Sequence, residues 1–387
     1  MIDTIVLIMP ISQSNLTIAS KFDPDAKGLF QPPYIPFAGQ HYVQCIQNPS
    51  PEDKGNHVYM PRLALTKRKS RDGSSYIITL KIEFSVPKLL YSNNFDEVQD
   101  SDFEKVVTTL KHKLFRMGVT IPLDDLKNAD VQSIHYGKNI AFIDYTTATS
   151  IMDVLRKIKV TRRLDVNHTD YINDGEAVRY HSKSFQVVFY DKIEDLKKAA
   201  ARAEEKEDRG FNYQTDLFTA IQKKKHPLEV LRMEVRYIGK KSIKAHFKKL
   251  RIVNEFTFKS LFQMSIARKV LCDYWDTIYI ELKPVLLQNL SISEQFVLIA
   301  KQKRQSKPQS ILSMIAITSM IKEVGYRKTK QHFDKYFSGR TMERIFKEIK
   351  ELNFTIANKL SPIIKVTNDL KEFKALKMKD YDIESLM

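Results

Sequence analysis

The chain has 387 residues, 43% of them hydrophobic, with a formal net charge of +17 and a sequence pI near 9.5. That length predicts more than one domain, and no apolar run of ~18 residues is present to predict a transmembrane helix. Two cysteines, Cys45 and Cys272, lie far apart and outside any C-x-x-C pair, which excludes a zinc ribbon, argues against a disulfide framework and predicts a reduced, cytoplasmic protein.

The opening MIDTIVLIMP is apolar but brief, carries Asp3 and has no basic flank. It predicts a first β-strand stopped by Pro10 rather than a signal peptide. Short β-like pieces broken by Pro and Gly fill the rest of 1–60. Residues 76–86 alternate, with Ile78, Leu80, Ile82 and Phe84 on one side and Thr79, Lys81, Glu83 and Ser85 on the other, so a half-buried strand is expected. Helical spacing predicts a helix over 101–117, and 131–145 reads as a strand broken at Gly137-Lys138-Asn139. A helix is expected over 148–159. FQVVFY, 185–190, reads as a strand, followed by a helix over 191–207 with its acids early, where the helix dipole favours them.

A second helical piece is expected near 214–224. LEVLRMEVRY, 228–237, then alternates again, placing Leu231, Met233 and Val235 on one face and Arg232, Glu234 and Arg236 on the other. A basic helix over 241–250 follows. From about 258 onward the pattern is almost entirely helical, with KQKRQSKP, 301–308, as an exposed connector. Helices over 326–337 and 341–352, separated by Ser338-Gly339-Arg340, have the spacing of a helix-turn-helix, although an ordinary helical hairpin is the favoured reading. The expected fold class is therefore α+β: a mostly antiparallel sheet with flanking helices over 1–268, then a mainly helical C-terminal domain over 269–387.

The positive charge is clustered. Residues 236–251 hold seven Lys/Arg and no acid, and 322–350 hold nine Lys/Arg against four acids, both stretches containing aromatics. Such surfaces suit phosphate contact and base stacking, so nucleic acid is the first candidate partner. Arg232, Arg236, Lys240, Lys241, Lys244, Lys248 and Lys249 are the candidate DNA-binding residues. An anionic membrane is disfavoured, because no helix pairs a strong basic face with a broad apolar one.

Glu83, His135, Tyr190 and the Arg232/Glu234/Arg236 trio are expected on one open sheet face. Taken singly, each has a plain structural reading: a solvated acid, a satisfied histidine, a strand tyrosine, a cross-strand ion ladder. Taken together they suggest phosphodiester chemistry. Glu83, His135 and Glu234 are candidate ligands for Mg²⁺ or Mn²⁺. Tyr190 is a candidate nucleophile that would conserve the broken bond as a phosphotyrosine, and Lys192 could stabilise the developing charge. A P-loop, a G-x-S-x-G elbow and a histidine–apolar–histidine triplet are all absent from the sequence.

Over roughly 1–270 the chain resembles the replication initiators of filamentous phages, the gene II/gene X type, with their plasmid relatives. The resemblance rests on MIDTIVL at the start, SVPKLLYSNN at 85–94, VVFYDK at 187–192 and LRMEVR at 231–236, in that order. It implies a site-specific nicking enzyme that opens rolling-circle replication at origin DNA. Such an enzyme engages double- and single-stranded DNA, stays joined to a 5′ phosphate through a tyrosine, needs a divalent metal and works with a host helicase and DNA polymerase in the bacterial cytoplasm. It implies Tyr190 as nucleophile, Lys192 as its companion and Glu234 as a metal-binding or structural acid. His135 stands where the family often carries an acid, which leaves a non-catalytic origin- or single-strand-binding protein as the alternative; Asp144, further along the same segment, is the candidate substitute acid.

Overall fold

The computed structural model describes residues 1–18, 42–47, 58–69, 76–144, 146–159, 169–172, 177–181, 184–205, 228–252, 255–353 and 362–381. The helical piece expected near 214–224 and much of the β-like stretch before residue 60 lie outside them.

Among the described residues nine strands form a single antiparallel sheet. They are β1 (Ile2–Ile11), β2 (Tyr42–Gln47), β3 (Arg62–Lys69), β4 (Tyr76–Ser85), β5 (Asp130–Phe142), β6 (Thr169–Ile172), β7 (Ala177–His181), β8 (Phe185–Asp191) and β9 (Glu229–Tyr237). Their order across the sheet is β2-β3-β4-β1-β5-β9-β8-β7-β6. The alternation read in the sequence decides which face is dry. Ile5, Leu7, Leu80, Ile82, Phe84, Ile134, Tyr136, Val187, Phe189, Leu231, Met233 and Val235 turn to one side and are buried in one core. The expected α+β architecture with an antiparallel sheet is what the chain adopts.

Two strand details differ from expectation. Pro10 does not stop β1, which runs on to Ile11. Pairing to β5 ends at Ile8↔Asp130, so Pro10 sits where β1 has β4 as its only ladder partner and a missing N–H is tolerated. The Gly137-Lys138-Asn139 break is also absent: β5 pairs with β9 without interruption from Ile134↔Tyr237 to Phe142↔Glu229.

Helices cover the apolar face. They include α1 (Val86–Tyr91), α2 (Phe103–Arg116), α3 (Leu123–Lys127), α4 (Ala148–Arg156), α5 (Lys192–Glu205), α6 (Lys240–Leu250), α7 (Phe258–Leu261) and α8 (Met264–Leu287). Of these, α5 is the exception. Its Ile193 and Leu196 pack with Ala141 and Val230, in a small cluster at one end of the opposite face. Beyond α8 come α9 (Ile292–Gln302), α10 (Pro308–Tyr336), α11 (Gly339–Lys350) and α12 (Pro362–Glu372). The mainly helical C-terminal region is as expected.

The boundary expected at 268/269 falls inside α8, whose Ile266, Val270, Tyr274, Trp275, Ile278 and Leu282 belong to the sheet's core. A second core begins at Val285 and Leu287 and gathers Ile311, Met314, Ile317, Met342, Phe346 and Ile349. Within α10 the helix breaks at Gly325, whose φ of 82° suits glycine, and Tyr326 N–H then bonds to Lys157 O at 3.0 Å. The helices expected at 326–337 and 341–352 are the last part of α10 and α11.

Candidate active site

The face of the sheet opposite the main core is polar, and pairing register brings the predicted residues onto it. On β9, Arg232, Glu234 and Arg236 alternate away from the core. Across the ladder to β8 they meet Tyr190, Val188 and Gln186; across the ladder to β5 they meet Asn139, Gly137 and His135.

Glu234 is the hub. Its Oε1 accepts from the Tyr190 hydroxyl at 2.7 Å and from Arg232 Nε at 2.6 Å. Its Oε2 accepts from Arg236 Nε at 2.7 Å. Burial works against charge on this carboxyl, but Arg236 and Arg232 outweigh it and hold the group well below the usual carboxylate range. Arg232 is buried and fully engaged: Nη2 pairs with Asp3 Oδ1 at 2.8 Å and Nη1 donates to Asn139 Oδ1 at 3.0 Å. Arg236 is the more accessible arginine, its side chain 27% exposed.

Sequence reasoning missed Asp3, Asn94 and Asn139. Asp3 reaches Arg232 because the β1–β5 register shifts between Ile2 and Ile5, a bulge that re-aims the intervening side chains. Asn94 accepts weakly through its carbonyl, 3.4 Å from Arg232 Nη1. A charged residue inside an apolar strand start was the available signal for Asp3.

Tyr190 sits partly exposed at the rim of this network. Burial first, and the Glu234 carboxylate second, push its phenol well above its ordinary pKa, with Arg232 opposing. The hydroxyl is thus a neutral donor in this state. His135 is driven down by burial, against the pull of Glu234, so its imidazole is neutral at neutral pH.

Lys192 stands at the start of the helix expected over 191–207. The strand ends at Asp191, and Lys192 opens α5. The lysine is 1% exposed, its Nζ 2.9 Å from Asp195 Oδ2 and 5.6 Å from the centre of the Tyr190 ring. Burial lowers its pKa, and Asp195 offsets part of that. It supports the tyrosine ring from behind rather than facing a groove.

The metal-ligand set fits poorly. Glu83 shares the polar face but stands three strands from Glu234, about 14 Å at the ordinary strand spacing, and lies 3.9 Å from Lys81. A hard divalent ion binds oxygens at roughly 2.0–2.6 Å, so Glu83, His135 and Glu234 cannot meet on one ion in this arrangement. Both oxygens of Glu234 are already taken, and two guanidinium groups flank it. Among the described residues no group of three His, Cys, Asp or Glu side chains is placed to hold a metal ion. Asp144 lies past the end of β5 in an exposed turn, its Oδ1 accepting from Thr146 N–H at 3.3 Å.

The basic helix is on the other side of the sheet. Ile243 and Phe247 of α6 are buried in the main core, and Phe247 stacks on Tyr136 at 6.5 Å. Lys241, Lys244, Lys248 and Lys249 are exposed on the far side of the helix, while Lys240 pairs with Asp130 at 2.6 Å and Lys249 approaches Asp273 at 3.3 Å. They therefore form a surface separate from Arg232 and Arg236. Three other strand tyrosines, Tyr136, Tyr171 and Tyr180, are alternatives to Tyr190 as nucleophile; Tyr136 and Tyr180 are core residues donating to Leu261 O and Leu155 O at 3.1 and 2.7 Å. The Tyr171 side chain lies outside the described residues.

No family model, curated protein or solved structure matches this chain. Among the described residues no helix is long and apolar enough to cross a membrane.

Proposed function

We propose that the chain is a tyrosine-dependent DNA nicking and strand-rejoining enzyme of the rolling-circle initiator type. The observation that carries this reading is the Tyr190 hydroxyl on the polar sheet face, 2.7 Å from a buried carboxylate held between two arginines. Each of these residues lies in a motif that supports the resemblance to phage gene II/gene X initiators.

In the proposed reaction Tyr190 Oη attacks a backbone phosphorus and the 3′ oxygen leaves. A phosphotyrosine on the 5′ side and a free 3′-OH result. The phenol proton passes to solvent as the Oη–P bond forms, while the Glu234 carboxylate, held ionised between two arginines, aims the hydroxyl, and the 3′ oxygen takes a proton from solvent. Arg236 is the guanidinium that a phosphate can reach from solvent, while Arg232, buried behind it, fixes the carboxylate. Because the phosphodiester energy is kept in the phenyl ester, attack by a 3′-OH reverses the step and rejoins strands.

The requirement for Mg²⁺ or Mn²⁺ belongs to the resemblance. Origin DNA, a host helicase and polymerase, and a bacterial cytoplasmic setting are part of the same proposal. The test is incubation of the chain with supercoiled origin DNA, with Mg²⁺ or Mn²⁺ and in EDTA. A covalent protein–DNA band in denaturing gels, linked through the peptide containing Tyr190 and absent in Tyr190→Phe, is expected. Equal nicking by Tyr190→Phe overturns the proposal.

One observation favours the second reading, a non-catalytic origin- or single-strand-binding protein. Tyr190 is a pinned neutral donor with its lysine neighbour buried. That reading predicts strongly salt-dependent DNA binding and no covalent adduct under any metal condition.

A further inference from the structure

The hairpin of α10 and α11 ends in two aromatic rings that no described residue covers: Tyr336 is 69% exposed and Phe337 is 65% exposed. They are held rather than loose. Phe337 lies against the partly buried Phe333 ring at 5.4 Å, its N–H bonded to Phe333 O at 2.7 Å, and Lys335 Nζ sits 5.3 Å from the centre of the Tyr336 ring.

The charge around the tip is mostly positive. Residues 327–347 hold seven Lys/Arg and two acids. One of those acids, Glu343, is engaged within the fold, accepting from the Tyr326 hydroxyl at 2.7 Å and from Lys330 at 3.1 Å, with Lys159 as a third partner. Met342, Ile345, Phe346 and Ile349 fill the second core, so Arg340, Arg344 and Lys347 are turned to solvent on the same hairpin.

We infer that this tip is a binding site for unpaired nucleic-acid bases, with Tyr336 and Phe337 as stacking platforms and Lys335, Arg340 and Lys347 as phosphate contacts. Two rigid rings amid cations suit flat, polyanionic ligands: any base presents a π-face, and each phosphate meets a cation. A protein partner would need a matching acidic collar. A lipid surface would need a broader apolar area than two adjacent rings supply. The surface is distinct from the Tyr190 face, and the inference shares with the proposed function only its nucleic-acid partner. For a strand-opening initiator it supplies a hold on the bases released beside a nick.

The test uses the full chain in EDTA, so that no cleavage intervenes. Its one tryptophan, Trp275, is buried, so Tyr336→Trp introduces an exposed reporter. Titration with oligothymidylate is expected to quench that emission. The double variant Tyr336→Ala/Phe337→Ala is expected to bind oligothymidylate about tenfold or more weakly than wild type, as loss of base stacking implies. The double variant Tyr336→Trp/Phe337→Trp is expected to keep wild-type affinity.

Unchanged affinity in the alanine variant, or unchanged emission from the Tyr336→Trp variant at saturation, overturns the inference while wild-type binding leaves the proposed function intact. Quenching by anionic vesicles and not by oligothymidylate overturns it in favour of a lipid surface. Failure of the wild-type chain to bind any DNA overturns both readings together.

Discussion

Gly137 on β5 lies opposite Glu234 on β9, and a methyl group at that position would meet Arg232 Nη2 at 3.1 Å and Glu234 Cγ at 3.2 Å. The missing side chain is the space in which the guanidinium and carboxylate lie flat against the sheet. Gly137→Ala is therefore expected to destabilise the protein by about 1–3 kcal/mol, as overpacking does, despite alanine's better conformational entropy. Urea denaturation reads the change. A midpoint equal to or above that of wild type would show that the network can move aside.

Glu234→Gln leaves Arg232 and Arg236 without their shared counter-charge, with Asp3 remaining as the ion-pair partner of Arg232 among the described residues. A loss of about 3–5 kcal/mol is expected, larger than the ~1.5–3 kcal/mol for removing one hydrogen bond to a charged group in Tyr190→Phe. The pH dependence has a definite sign. The folded-state pKa of Glu234 is depressed, so its contribution is present above the unfolded carboxylate value and is lost as pH falls through the folded one. Denaturation midpoints of wild type and Glu234→Gln should converge toward low pH; a constant gap would contradict the assignment.

Asp191 has the opposite sign. Its Oδ1 accepts from the N–H groups of Ile193 and Glu194 at 2.9 and 3.0 Å, capping α5, yet burial raises its carboxyl from 3.8 to about 6. A raised folded pKa adds stability that is present below the unfolded value and lost as pH rises through about 6. Asp191→Asn keeps a capping oxygen and removes the buried charge. At pH 7 it is expected to be more stable than wild type by up to about 3 kcal/mol, the equivalent of the shift, with the advantage gone near pH 4. Thermal melts at the two pH values test this.

Any contact between the α6 lysines and DNA is made on the side of the sheet away from Tyr190. The triple variant Lys241→Ala/Lys244→Ala/Lys248→Ala is expected to lower the slope of log K against log salt by about 2 to 3, the release of three phosphate contacts. Covalent-adduct formation at saturating DNA should be unaffected. A slope identical to wild type would remove this helix from the interface.

Much of this arrangement is written in alternation. The strands at 76–85, 185–191 and 229–237 were legible because one face of each is apolar, and that alternation put Tyr190 and Glu234 on one side. What failed was information held by distant partners. Gly137-Lys138-Asn139 reads as a turn by composition. It remains a strand because Lys138 finds Glu97 at 2.9 Å, Asn139 finds Phe95 O at 2.8 Å and Gly137 makes room for Arg232. The α6 lysines follow Arg236 closely in the chain. The polypeptide passes from one side of the sheet to the other at Ile238 and Gly239, a step that charge clustering cannot register.

The last described segment closes back on the first third of the chain. Leu376 N–H bonds to Glu97 Oε2 at 2.9 Å and Met378 N–H to Asp96 Oδ1 at 2.7 Å, across sequence separations of 279 and 282 residues, while Ile363, Val366 and Leu370 of α12 fill the sheet's own core. The consequence is kinetic. As the chain emerges from a ribosome, the sheet lacks part of its core until residues near 378 arrive. Closing so long a loop is slow, because its entropy cost comes before the contacts that repay it. Until then the strands stand with apolar surface uncovered, a state in which chaperone binding and premature cleavage compete with folding.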